Sequence, residues 1–224
     1  MAGDGDQRPL WSLDSTQLRA LIVARLASEP RAVPVEDWRL GTLDAAQRAT
    51  LRQYFPAAPV AAAVLVPLVT RGDALTVLLT QRATQLRNHA GQISFPGGRF
   101  ESSDINLTNT ALRESEEEIG LARRHVHIVG QLPDHMVISG FRVTPVVGFV
   151  DADFTLNLDA EEVADTFEVP LRFVLDPANH VKCIRHYEGH AVELTDMPFG
   201  EYNIWGATAS MLMTLYRVLR GEDG

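Results

Sequence analysis

Gly97-Gly98-Arg99-Phe100-Glu101, followed after a short polar loop by Arg113-Glu114-Ser115-Glu116-Glu117-Glu118-Ile119-Gly120-Leu121, decides how this chain folds and what chemistry it can carry. A glycine turn leads into a helix crowded with acid. Glu114, Glu117 and Glu118 stand at i, i+3 and i+4, a spacing that places them on one helical face. Like charges one turn apart destabilise a helix by about 0.2–0.5 kcal/mol per pair, so the cluster calls for compensation. A hard divalent cation such as Mg2+ or Mn2+ supplies it, because such ions take carboxylate, carbonyl and phosphate oxygens. An acidic face is otherwise plain solvated surface, and glutamate is a good helix former. The rest of the helix favours the metal. Ala111, Leu112, Ser115 and Ile119 make a mostly apolar opposite face, and Gly120 stands where a glycine closes a helix. A helix pinned in this way holds its carboxylates in place.

These residues resemble the box of the Nudix hydrolases, which reads G-x5-E-x7-R-E-U-x-E-E-x-G-U with U aliphatic. Gly98, Arg113, Glu114, Glu117, Glu118, Gly120 and Leu121 fall on the pattern. Two departures stand out. Asp104 occupies the place of the first glutamate, six residues after Gly98, and Arg113 then follows one residue late. Ser115 replaces the aliphatic residue after Arg-Glu. Neither change removes a carboxylate of the triplet. The resemblance implies an α/β fold, an α/β/α sandwich on a mixed β-sheet, and a metal-dependent diphosphate hydrolase. It adds Glu117 and the backbone carbonyl of Gly97 to Glu114 and Glu118 as metal ligands. Arg113 can pair with Glu117 at i+4 and hold that carboxylate in position.

Immediately upstream, the segment from Leu78 to Gly98, Leu78-Leu79-Thr80-Gln81-Arg82 through His89-Ala90-Gly91-Gln92-Ile93-Ser94-Phe95-Pro96-Gly97-Gly98, is similar to the signature of coenzyme A pyrophosphatases. Those Nudix enzymes cut coenzyme A or its derivatives into 3',5'-ADP and a 4'-phosphopantetheine. Ser139 to Gly148 and Ile204 to Ala209 are similar to segments of the same subfamily. Arg82, Arg87 and His89, with Arg99 beside the glycines, are then the candidates for substrate phosphates, a task that suits the arginine fork. The alternative is another nucleoside diphosphate compound such as ADP-ribose. A non-catalytic nucleotide-sensing domain fits less well, because every box glutamate of the triplet is present. The catalytic base is a box glutamate, with Glu117 the leading candidate, or a distant acid. Glu161 and Glu162 in Asp159-Ala160-Glu161-Glu162-Val163 are the distant candidates, although that stretch reads equally well as a solvated turn.

Composition narrows the partners. A formal charge of −9 opposes nucleic-acid binding, whereas a small anionic substrate needs only local positive charge and a metal. Cys183 is the single cysteine, so no internal disulfide forms, as in a reducing compartment. It reads as a small buried hydrophobe in a strand. Met1 to Arg8 lacks a signal pattern and no apolar run is long enough for a bilayer span, so a cytoplasmic protein without a membrane partner is expected.

The 224 residues divide into an N-terminal helical extension, 1–56, and a Nudix domain, 57–224. In the extension, Ser15 is expected to cap a helix from Gln17 to Ala27, with Leu18, Leu21, Ile22 and Leu26 as a stripe that packs on the domain or on a second subunit. The latter would make a homodimer. A second helix is expected from Asp44 to about Tyr54. Val60 to Thr70 and Leu75 to Gln81 read as a hairpin, with a central first strand. A long loop to Pro96 precedes the glycine turn and a helix from Leu107 to Ile119. Strands are expected at His125 to Gln131, Val143 to Val150, Val163 to Val169 and Val181 to His186, with His135 in a loop. Gly206 to Leu219 reads as an amphipathic closing helix.

Overall fold

The computed structural model describes residues 8–27, 58–86, 89–137, 139–187 and 190–222. The expected helix at Asp44 to Tyr54 lies outside them. Strand β1 (Val60–Arg71) turns through Gly72 and Asp73 into β2 (Ala74–Arg82), with Arg71 opposite Ala74. This two-residue connection needs positive φ, which Gly72 supplies at 56°. β3 (Ile93–Ser94) pairs with β2, and β4 (Gly97–Arg99) pairs with β1. The expected glycine turn is therefore a short strand, and part of the expected loop before it is paired. Helix α1 (Ser15–Leu26) precedes β1, and α2 (Leu107–Ile119) follows β4.

The remaining strands are β5 (Val126–Gln131), β6 (His135–Val137), β7 (Phe141–Val150) and β8 (Val163–Pro170). A short helix α3 (Leu171–Leu175), strands β9 (Val181–Tyr187), β10 (His190–Phe199) and β11 (Tyr202–Ile204), and helix α4 (Gly206–Arg220) complete the order. Eight strands form one sheet along β3-β2-β1-β7-β5, with β4 on β1, β6 on β7 and β8 on β2. β1 and β7 run parallel while their other neighbours run antiparallel, so the sheet is mixed. β1 is central, as its near-continuous apolar sequence requires. β9, β10 and β11 make a second sheet.

Helices cover both faces of the large sheet. On one face Ala63, Leu65, Val69, Leu78, Val146 and Val150 pack against Ala111 and Ile119 of α2. On the other, Val66, Leu68, Val77 and Val147 share a core with Leu18, Ile22 and Leu26 of α1 and Leu212, Leu215 and Leu219 of α4. These layers make the α/β/α sandwich. The stripe of α1 thus packs on the domain itself. Its cap is Asp14 rather than Ser15: the Asp14 carboxylate accepts from the Gln17 N–H while the Gln17 side chain accepts from the Asp14 N–H, and Ser15 is the first helical residue. His135 sits in β6 instead of a loop, buried, with its Nε2 3.1 Å from Thr214 Oγ1. Cys183 is half-buried and donates its thiol to Asp196, so it is a polar participant and not a plain hydrophobe. Burial, with Asp196 adding to it, pushes that thiol up. Among the described residues no helix is long and apolar enough to cross a membrane.

Candidate active site

β4 carries the glycines and α2 the acids, and the two elements pack together. Ala63 stands opposite Gly98 and Val64 opposite Gly97. A Cβ at position 97 would lie 2.4 Å from the Ala63 carbonyl oxygen and 2.6 Å from Val64 Cα, at a φ of +157° that side chains rarely adopt. A Cβ at position 98 would fall 2.4–2.5 Å from the carboxyl atoms of Glu114. Gly97 thus allows backbone to meet backbone, and Gly98 makes room for an acid.

Glu118 turns inward. Its side chain is 5% exposed, with Oε2 accepting the Gly97 N–H at 3.0 Å and Oε1 3.9 Å from Nη1 of Arg82. Burial pushes its carboxyl up to about 8; the Gly97 hydrogen bond and Arg82 oppose the rise, while the charges of Glu162 and Glu114 add to it. Burial also raises Glu114, against the pull of Arg113 and with the charges of Glu117 and Glu162 adding to the rise. Glu117 is different. It is 59% exposed and accepts from Nη1 of Arg113 at 2.8 Å. The three acids therefore do not share one face equally: at about 100° per residue they fan out, Glu118 toward β4, Glu117 toward solvent and Glu114 between.

Arg113 ties this fan together. Beyond Glu117 it donates to Glu114 Oε1 at 2.9 Å, to the Arg99 carbonyl oxygen at 3.0 Å and to both oxygens of Asp104. Asp104, in the sequence no more than a departure from the pattern, is the anchor of this network, and also accepts from the Glu101 N–H and the Thr110 hydroxyl. Its place six residues after Gly98 was the available signal. Ser115 is fully buried and donates to the Ala111 carbonyl oxygen at 2.7 Å, so the hydroxyl in the aliphatic position is satisfied by the helix itself. Gly120 closes the helix at a φ of 69°.

The other expected residues separate. Arg82 borders Glu118, and its Nε is buried without a hydrogen-bond partner among the described residues. Glu162 is joined through its backbone carbonyl to the Ala83 N–H at 2.8 Å, and its charge reaches Glu114 and Glu118. Glu161 is exposed, its N–H held by Asp159. His89 is exposed, at a φ of 58°, with Nδ1 2.9 Å from the Gln92 side-chain oxygen. Arg99 is exposed with its guanidinium over the Phe141 ring. Arg87 lies outside the described residues. Among the described residues no three carboxylate, imidazole or thiol side chains already meet as a metal-holding group.

Residues 59–186 match the family model described as NUDIX domain. A protein of Yersinia pestis (strain Pestoides F) named Uncharacterized Nudix hydrolase NudL is 42% identical over 168 residues, which is 74% of this chain and 83% of the relative. The protein of that name from Yersinia pseudotuberculosis serotype O:1b (strain IP 31758) matches to the same extent. Among solved structures, a MutT/nudix family protein from Enterococcus faecalis aligns with a TM-score of 0.48 at 17% identity, over 80% of this chain and 70% of that one. With more than half of its length on the family model and a 42% identical relative matched over most of both chains, the chain belongs to the Nudix hydrolase family.

Proposed function

We propose that the chain is a metal-dependent diphosphatase that cuts coenzyme A or its acyl derivatives into 3',5'-ADP and 4'-phosphopantetheine or its acyl form. Arg82 is the observation that carries this reading. It belongs to the Leu78 to Gly98 segment, its guanidinium borders Glu118, and its Nε is buried without a partner among the described residues. Such an arginine donor beside the shielded Glu118 carboxylate suits a phosphate oxygen arriving together with a cation.

The donor set fits Mg2+ or Mn2+ by its chemistry. Glu114 and Glu118 are hard oxygen donors whose charged forms burial disfavours, so a cation beside them offsets that cost. Glu117 and the Gly97 carbonyl are the further donors. Such an ion, when bound, supplies charge neutralisation on the diphosphate and a more acidic water. The chain does the rest. Arg113 fixes Glu114 and Glu117, and the Gly97 N–H fixes Glu118. Arg82, with Arg87, His89 and Arg99 as further contacts, holds the substrate phosphates. Glu162 or Glu117 takes the proton from the attacking water. A cytoplasmic location belongs to the same reading, on the single cysteine of the chain.

A substrate panel tests the reading: purified protein with Mg2+ or Mn2+ against coenzyme A species, ADP-ribose, dinucleoside polyphosphates and nucleoside triphosphates. Coenzyme A species should lead. Far better turnover of ADP-ribose replaces the reading with a different diphosphatase, and nucleotide binding without turnover of any compound replaces it with a sensing domain.

A further inference from the structure

The segment from Asn157 to Val163 crosses the end of α2 and then enters β8. It is tied on both sides. Toward the helix, the Asn157 N–H donates to the Ile119 carbonyl oxygen and the Asp159 N–H to that of Glu118, both at 2.9 Å. Toward β2, the Ala83 N–H donates to the Glu162 carbonyl oxygen at 2.8 Å, and Val163 stands opposite Arg82 in the ladder. Between these ties the chain makes a tight turn, with the N–H groups of Glu162 and Val163 both donating to the Asp159 carbonyl oxygen. The turn is thus tied to Glu118, whose carboxylate is buried, and to the strand end at Arg82, whose guanidinium borders that carboxylate.

Gln85 adds one more tie. Its Nε2 donates to the Ala160 carbonyl oxygen at 2.9 Å, from the far side of the turn. This bond is made by a side chain reaching in from another element, so a substitution removes it and leaves the backbone ties in place. Gln85 is exposed, so its conformation answers to this hydrogen bond more than to burial.

We propose that Gln85 is a positioning residue: by holding the Ala160 carbonyl it fixes the 159–162 turn and keeps the Glu162 carboxylate trained on the Glu114 and Glu118 pair. This deepens the diphosphatase reading and rests on it for the part that Glu162 plays.

A double-mutant cycle with coenzyme A and Mg2+ tests it, using Gln85→Ala, Glu162→Gln and the pair. Gln85→Ala should lower kcat about fivefold, the scale of one net hydrogen bond, with KM little changed. In the Glu162→Gln background it should add nothing. Gln85→Lys, which can still donate to the carbonyl, should restore most of the rate. Losses that multiply in the double variant, or a wild-type kcat for Gln85→Ala, overturn the proposal. So does a wild-type kcat for Glu162→Gln, which leaves the diphosphatase reading standing. Hydrogen exchange of the amides at 159–163 gives a readout without turnover: Gln85→Ala should exchange faster there and Gln85→Lys should recover. If coenzyme A is not turned over, the substrate reading fails and this measurement alone decides, with unchanged protection in Gln85→Ala sinking the inference.

Discussion

Asp104 holds the Arg113 guanidinium side-on, with Nε donating to Oδ1 and Nη2 to Oδ2, each at 3.0 Å. The loop before Arg113 is one residue longer than the family pattern, and its acid is one methylene shorter than glutamate. The longer loop and the shorter acid meet in one ion pair. Its Asp104 side chain is 4% exposed and its Arg113 side chain 19% exposed, so the pair is shielded rather than a loose surface contact. Asp104→Asn keeps the shape and removes the charge. The expected loss is about 3 kcal/mol, the low end for breaking a buried pair, since Arg113 keeps Glu114 and Glu117. The pH dependence follows. Arg113 holds the Asp104 carboxyl well below the usual carboxylate range, so its stabilisation is present above the ordinary value and is lost as pH falls toward the lower folded one. Urea midpoints of wild type and variant should differ at pH 7 and draw together below about pH 4. A gap that stays constant on acidification contradicts the ion pair.

Glu118 behaves oppositely. Burial lifts its folded value to about 8, so its contribution to stability is full below the ordinary carboxylate value and disappears as pH rises through about 8. Metal-free wild type should therefore lose Tm between about pH 5 and 8.5, and Glu118→Gln should flatten that slope. The displacement bounds the gain for the variant above pH 8 at about 5 kcal/mol, and relaxation around the carboxylate makes about 2 kcal/mol the expectation. Adding Mg2+ should raise the Tm of wild type and leave the variant nearly unmoved, and the variant should lose at least about a hundredfold in turnover. Full activity in Glu118→Gln at the same metal concentration removes it from the ligand set.

How much of this was legible depended on whether the signal was local. The box helix was legible at both ends, because the acid triplet lies within it and Gly120 closes it. The hairpin of β1 and β2 was equally plain. What the sequence concealed was pairing across distance: β3 and β4 are two and three residues long, and only their partners make them strands. β10 has only a short period-two signal in Val192, Glu193 and Leu194, and α3 is too short for helical periodicity. At the site, helical spacing grouped the three glutamates but could not say which would meet β4. That choice belongs to the packing of α2, which buries Glu118 and leaves Glu117 at the surface.

The two glycines should fail in different ways. At position 98 the atoms nearest the added methyl are those at the far end of the Glu114 side chain. Gly98→Ala should therefore fold, with a loss of stability below about 1 kcal/mol, and lose turnover because Glu114 is displaced. At position 97 the methyl meets backbone at a φ that disfavours any side chain. Gly97→Ala should cost about 3 kcal/mol or more. Thermal unfolding and turnover of both variants separate the roles, and equal Tm losses would falsify the assignment.

Arg82 offers a test of substrate contact. Arg82→Ala removes a donor whose Nε has no partner among the described residues, so the fold should survive. KM for coenzyme A should rise by about tenfold to a hundredfold, the range of one charge-assisted hydrogen bond to phosphate. An unchanged KM with a collapsed Tm would make Arg82 a structural partner of Glu118 instead.

The base is the last choice the site leaves between two elements. Glu162 leaves the turn beside Ala83, its charge raises both Glu114 and Glu118, and it is free of the Arg113 network that occupies Glu117. Glu161 is the neighbour that shares its charge and its loop, which makes it the control. A general base contributes about a hundredfold or more, so Glu162→Gln should lower kcat on that scale and flatten the acidic limb of its pH profile, where the base must lose its proton to act. Glu161→Gln should leave both unaltered. If the two variants keep wild-type kcat, proton removal moves into the box. Glu117 is then the candidate, because its exposed carboxylate is held in place by Arg113 while remaining open to water.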